Sequence, residues 1–189
     1  ATGYVGGRLV PVLLDDGYPV RVLARAPSKL DGRVWRDRVE VSVGDVLDAR
    51  TLAGFMRGLD IVYYLVHSMA EGERGFEERD RRAAENFARA AEEAGVRRII
   101  YLGGLGETGP GLSKHLASRL DTGRALRSGR VPVTELRAAV IVGSGSMSFE
   151  MIRALVERLP LMITPKWVNT RSQPIAVGDV LRYLVGCLA

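Results

Sequence analysis

The sequence predicts an α/β fold, a doubly wound parallel sheet with helices on both faces, in a single domain of 189 residues. Three observations predict it. Short β-rich runs alternate with longer runs of helical periodicity along the whole chain, the pattern of right-handed βαβ crossovers. The runs at 61–66 and 138–142 are apolar without alternation, as strands covered on both faces are. The chain also opens on a glycine-rich turn that leads directly into an amphipathic stretch.

Taken in order, strands are expected at 20–24, 39–43, 60–66, 98–102, 133–142 and, in a weaker run, 173–177. Between them, 6–16 carries Leu9, Val10, Leu13 and Leu14 on one helical face. A short helix is expected at 50–57. The longest spans 75–94, with Phe76, Ala83, Phe87, Ala90 and Ala94 at helical spacing and Gly95 as its stop. Helices at 112–127 and 149–159 follow, and a last one begins near Gly178. The turn at residue 1 has no strand before it, and 183–189 reads as apolar helix without a cap. The expectation is therefore a fragment whose first strand precedes Ala1 and whose substrate-side remainder follows Ala189.

Composition excludes several classes. A hydrophobic share of 47% with 26% charged residues is that of a soluble globular protein. No run approaches the roughly 18 apolar residues of a transmembrane helix, and no charged n-region precedes an apolar h-region, so a cytoplasmic protein without membrane contact is expected. Cys187 stands alone, and no Cys/His cluster has metal-ligand spacing, so no metal is expected. The net charge is +5, but the arginines at 73–82 and 92–98 alternate with acids. Those are solvated helix faces and not the basic, aromatic-studded stripe of a nucleic-acid binder.

The opening turn reads Ala1-Thr2-Gly3-Tyr4-Val5-Gly6-Gly7-Arg8. Gly3 and Gly6 fit the last two members of Gly-x-x-Gly-x-x-Gly. One such glycine lets backbone approach a pyrophosphate and a later one lets helix and strand pack closely, while the helix N-terminus offers free N–H groups to phosphate. A plain glycine-rich turn is the alternative; the helix and strand that follow favour phosphate binding. The run 20–24 ends in Arg25-Ala26-Pro27-Ser28-Lys29. An acid at this spacing would hold the ribose hydroxyl of NAD. Arg25 can instead stack on adenine and pair with a 2′-phosphate, with Ser28 and Lys29 adding a donor and a charge. NADP is therefore the expected cofactor, with NAD the alternative. Asp45, in Gly44-Asp45-Val46, is either an acceptor for the adenine amino group or a helix cap.

These segments, with Gln173-Pro174-Ile175-Ala176-Val177-Gly178-Asp179-Val180, resemble the extended and atypical short-chain dehydrogenase/reductase superfamily. More narrowly they resemble its NAD(P)-binding, nitrogen-regulator-like branch of epimerase/dehydratase-type proteins, a Rossmann-like fold. The resemblance implies that Leu65, Val66 and His67 line the central ribose. It places the loop after Gly103 near the nicotinamide, with Val142 and Gly143 flanking it, and residues 149–170 in a substrate pocket. It implies Ser at the end of the fifth strand and Tyr-x-x-x-Lys on the next helix. Here Gly103-Gly104 and His115-x-x-x-Arg119 stand at those places.

His115 could act as general acid or base, with Arg119 on the same helix face binding ribose or phosphate. Both could equally be exposed residues of an amphipathic helix. Tyr101, mid-strand, is a core residue and no substitute acid. Leu105, Trp167 and Arg171 are candidate substrate contacts, and His67 is a second candidate acid or base. Two functions stay open. One is an NADP-dependent oxidoreductase acting on a small carbonyl or enone held near His67, Leu105, His115 and Trp167. The other is a non-catalytic NADP(H)-binding redox sensor or assembly module with a regulatory partner. Nucleotide-sugar isomerisation ranks lower, since the absent Tyr does that work. Oligomeric state stays open: related folds often pair through their two longest helices, here 75–94 and 112–127, which would make a homodimer, but the exposed faces of these two are charged.

Overall fold

The structure, a computed structural model, describes residues 1–66, 75–105, 113–158 and 172–189, with the side chains of Lys114, His115 and Ser148 outside that description. Among these residues the chain runs α1 (Tyr4–Asp15), β1 (Arg21–Ala24), β2 (Glu40–Val43), α2 (Ala49–Met56), β3 (Ile61–Tyr64), α3 (Phe76–Glu93), β4 (Arg98–Gly104), α4 (Lys114–Leu126), β5 (Val133–Ala138), β6 (Val140–Val142), α5 (Met147–Arg158), β7 (Pro174–Ala176) and α6 (Val177–Gly186). Short 3₁₀ turns occupy Pro27–Leu30 and Arg36–Arg38. No helix among the described residues is long and apolar enough to cross a membrane.

Among the described residues every strand pair is parallel. β1 pairs with β2, β4 lies between β3 and β5, and β6 pairs with β7. Side chains alternate between two helical layers, which makes the fold doubly wound. Val62, Tyr64, Ile99 and Tyr101 bury against Leu52 and Phe55 of α2, Phe87 and Ala91 of α3, and Leu126 of α4. On the other face Ile61, Tyr63 and Ile100 pack with Leu9 and Leu13 of α1 and Val180 and Leu184 of α6. A third cluster joins Val10 of α1 to Val22, Ala24, Leu30 and Trp35. Burying each such side chain stabilises by about 1.5–3 kcal/mol, so these layers hold the strand ends in register.

Pro11 lies inside α1. It has no N–H to give the Gly7 carbonyl four residues earlier. The buried indole of Trp35 supplies the donor instead, Nε1 to Gly7 O at 3.2 Å.

The structure corrects several boundaries. The single strand expected at 133–142 is two, parted at exposed Ala139: β5 bonds to β4, and β6 to β7. Nothing polar marks that break, so an apolar run conceals it. β4 continues through Gly103 and Gly104 because neighbouring side chains fill the space a Cβ would take there. α1 begins at Tyr4, with extended Gly3 at its N-cap. α6 ends at Gly186, and Cys187 caps it by donating its N–H to Tyr183 O at 3.1 Å, so the uncapped helix expected through 189 is not formed.

Candidate functional site

Within each of the three sheets the strands run parallel, so their C-terminal ends lie together, at the edge where open α/β sheets bind ligands. The N-terminus of α1 faces this edge. Its first helical bond runs from Gly7 N–H to Gly3 O at 2.9 Å, so the N–H groups of Tyr4, Val5 and Gly6 precede the ladder. No side chain caps Gly3 and no acid sits in the first turn, so the positive end of the helix dipole is unneutralised. A Cβ on Gly3 would meet nothing within 4 Å, whereas one on Gly6 would lie 3.1 Å from Ala1 Cα and 3.7 Å from Leu65 Cδ1. The front of the turn is thus open and its back is closely packed, as a phosphate cradle requires. Thr2 is exposed beside it.

At the end of β1, Arg25 is 72% exposed and lies 3.9 Å from the Asp45 carboxylate. A pair so exposed contributes little to stability, which leaves the guanidinium available. The 3₁₀ turn that follows buries Leu30 and turns Ser28 and Lys29 outward. Asp45 and Val46 sit on a turn pinned from two helices. Thr51 Oγ1 lies 3.0 Å from Asp45 O, and Asn86 Nδ2 donates to Leu47 O at 3.1 Å and Val46 O at 3.4 Å. Asp45 is not the helix cap: its carboxylate accepts from Leu47 N–H at 3.0 Å, and Asp48 caps α2 by accepting from Arg50 N–H.

Leu65 is half-buried and Val66 exposed just past β3; His67 lies outside the described residues. At the end of β4, a Cβ on Gly103 would stand 2.9 Å from Glu135 Oε1, and one on Gly104 2.8 Å from both Arg119 Cδ and Leu116 Cδ1. α4 therefore lies directly on the position where the resemblance implies a serine. Ser113 caps α4, His115 is in its first turn, and the stem of Arg119 covers Gly104. The Tyr101 hydroxyl donates to Arg119 O at 2.9 Å. Burial pushes this phenol up to about 12, so it serves as a neutral structural donor. Leu105 is exposed, and its N–H donates to Ala138 O at 2.9 Å. Val142 and Gly143 close β6, where a Cβ on Gly143 would lie 2.7 Å from Tyr4 Oη. Trp167 and Arg171 lie outside the described residues.

Contacts thus join α1 to β3 through Gly6 and Leu65, α1 to β6 through Tyr4 and Gly143, and β1 to the β2 turn through Arg25 and Asp45. Residues that the sequence reading does not single out complete the frame: Arg8, Asn86, Thr51, Trp35 and Glu135. Two of their contacts, that of Arg8 with Tyr4 and that of Trp35 with Gly7, carried a signal. Arg8 stands four residues from Tyr4 on a helix, and Pro11 announces a missing donor. Among the described residues, no three His, Cys, Asp or Glu groups are placed to hold a metal ion.

The family model for NAD(P)H-binding proteins matches residues 1–131. The chain belongs to the NAD(P)H-binding family. Its curated relatives include a ceramide reductase of Caulobacter vibrioides, 30% identical over 164 residues, which are 86% of this chain and 51% of the relative. Among solved structures, a nucleoside-diphosphate-sugar epimerase from Staphylococcus aureus superposes with a TM-score of 0.80 at 19% identity, covering 99% of this chain and 63% of that one. The triphenylmethane reductase of Citrobacter sp., complexed with NADP(H), superposes with a TM-score of 0.65 at 24% identity, covering 83% of this chain and 53% of that one. The chain spans about half or less of the length of the curated relatives it matches. As an NAD(P)H-binding protein with the fold of these reductases and epimerases, it presents the strand-end edge as its candidate cofactor site.

Proposed function

We propose that this NAD(P)H-binding chain holds NADP(H) along the strand-end edge and works as an oxidoreductase on a small carbonyl or enone. The observation that carries the reading is the pairing of an uncapped, acid-free α1 N-terminus with an exposed Arg25 at the end of the adjacent strand. The first would bind the pyrophosphate through Tyr4, Val5 and Gly6 N–H groups. The second would bind the 2′-phosphate with Ser28 and Lys29. Asp45 and Val46 would border the adenine, Leu65 and Val66 the central ribose, and Gly103, Val142 and Gly143 the nicotinamide.

A bound nicotinamide supplies or accepts the hydride. The chain's share is then to orient substrate near Leu105 and to move one proton. His115, in the first turn of α4, is the proposed proton donor, since an imidazole titrates near neutral pH without an activating lysine. Arg119, one turn later, is the proposed ribose or phosphate contact. The reductase names among relatives and structural neighbours support reduction as the reaction class. The test is NADPH consumption across a panel of carbonyls and enones, repeated with His115→Ala. Turnover lost in that variant supports the assignment; tight NADPH binding with no turnover on any substrate contradicts it.

One observation favours a second reading. Gly104 is sealed by Arg119 and Leu116, so the serine that the family resemblance implies has no room here. A non-catalytic NADP(H)-binding sensor or assembly module needs no such serine. Its signature would be a partner whose association differs between oxidised and reduced cofactor.

A further inference from the structure

The first two turns of α1 also grip the opposite side of the edge. Arg8 lays its guanidinium over the Tyr4 ring, 4.0 Å from the centroid. The same group donates to Tyr4 O at 3.3 Å and reaches Ser144 O at 2.8 Å. Residues 143–146 close around this pair. A Cβ on Gly143 would lie 2.7 Å from Tyr4 Oη, and one on Gly145 3.5 Å from Arg8 Nη2. The loop is tied onward to its own strand and helix. Ser146 Oγ donates to Ile141 O at 2.8 Å, and Gly145 N–H donates to Glu150 Oε1 of α5 at 3.0 Å. Tyr4 Oη is buried without a hydrogen-bond partner. Ring stacking and the Arg8 fork, not the hydroxyl, therefore hold Tyr4 to the loop.

We propose that Arg8 is a positioning residue that clasps the phosphate-binding end of α1 to the 142–146 segment, keeping the pyrophosphate and nicotinamide ends of the cofactor site in register. The proposal rests on the NADP(H) reading above. A planar guanidinium can stack on a ring and donate in its own plane at the same time; an ammonium cannot match both. The loop Gly143-Ser144-Gly145-Ser146 is rich in glycine and so conformationally free, which makes an outside anchor consequential. The adenine end has its own anchors in Thr51 and Asn86 and does not depend on Arg8.

The test compares two ligands on the full chain: NADPH, and adenosine 2′-monophosphate, which carries only the adenine end. In Arg8→Ala, NADPH affinity is expected to fall about tenfold, as loss of a charge-assisted hydrogen bond implies, while the nucleotide binds within about twofold of wild type. Arg8→Lys should show the same one-sided loss, and it carries the comparison if Arg8→Ala does not fold. Equal losses for both ligands, or no loss for either, would overturn the clasp while leaving the NADP(H) reading standing. A wild-type chain that binds neither ligand would overturn both.

Discussion

The Trp35 indole donates to the Gly7 carbonyl at 3.2 Å, in the place where Pro11 has no N–H to offer. A residue from a 3₁₀-containing connection thereby completes the helix that carries the phosphate turn. Trp35→Phe should destabilise the chain by roughly 1–3 kcal/mol beyond its packing loss, because a buried carbonyl loses its donor. Pro11→Ala restores that N–H, so the cost of Trp35→Phe should shrink in its background. Chemical denaturation of the four proteins of this cycle measures it. Identical costs in both backgrounds would contradict the substitution of one donor for the other.

Gly104 and Arg119 give a second coupled pair. Gly104→Ala sets a Cβ 2.8 Å from Arg119 Cδ and Leu116 Cδ1, an overpacking that costs about 1–3 kcal/mol. Arg119→Ala makes room, so the double variant should be more stable than the sum of the single losses predicts. Thermal denaturation of the three variants decides this. By the same geometry Gly104→Ser should lower stability without raising turnover.

Asn86 connects α3 to the turn that holds Asp45 and Val46, and its side chain is buried. Asn86→Ala leaves two carbonyls short of a donor, a loss of about 1–3 kcal/mol. It should also weaken NADPH binding several-fold by freeing the turn. Asn86→Asp should be no better, since a carboxylate cannot donate. An unchanged dissociation constant in a destabilised Asn86→Ala would separate the turn from cofactor binding.

Stability should depend on pH at both extremes. Glu135, with a side chain only 8% exposed, is contacted by Arg127 and Arg137. Burial alone would raise its carboxyl, but the hydrogen bonds and charges of those arginines outweigh it and hold the group below 4.5. Its contribution is full above that value and is lost as pH falls toward the lowered folded value. Burial raises Tyr63, Tyr64 and Tyr101 above 10.0. Their contribution is full below that value and is lost as pH rises above it. Urea unfolding against pH should show a plateau with falls at both ends, and Glu135→Gln should flatten the acid fall. An acid fall of unchanged steepness in that variant would contradict the role given to Glu135.

Most of the framework was legible in the sequence because periodicity reports burial. The runs at 20–24, 39–43 and 60–66 each hold a strand, and the glycine-rich turn does lead into a helix. The break at Ala139 was not legible, since a strand that changes partners keeps the same apolar character. Nor was the extension of β4 through two glycines, whose missing side chains make way for Glu135, Arg119 and Leu116. At the candidate site, Gly3, Gly6 and Arg25 stand out by residue type and spacing. Asn86 does not, because it acts on the Val46 and Leu47 carbonyls that only the fold brings near, and the spacing of Arg8 to Tyr4 gives no sign of its reach to Ser144 O. The assignment of Asp45 as a possible cap failed for a local reason: Asp48, three residues on, is the one placed to accept from the helix.

In the function proposed above, the α1 N-terminus and Arg25 together select NADP(H). Its most direct test is a fluorescence titration of this chain with NADPH and with NADH, repeated for Arg25→Ala. NADPH should bind at least about tenfold tighter, a difference of about 1.4 kcal/mol, and the variant should lose that preference. Equal affinity for both cofactors in the wild type, or a preference that survives Arg25→Ala, would contradict it.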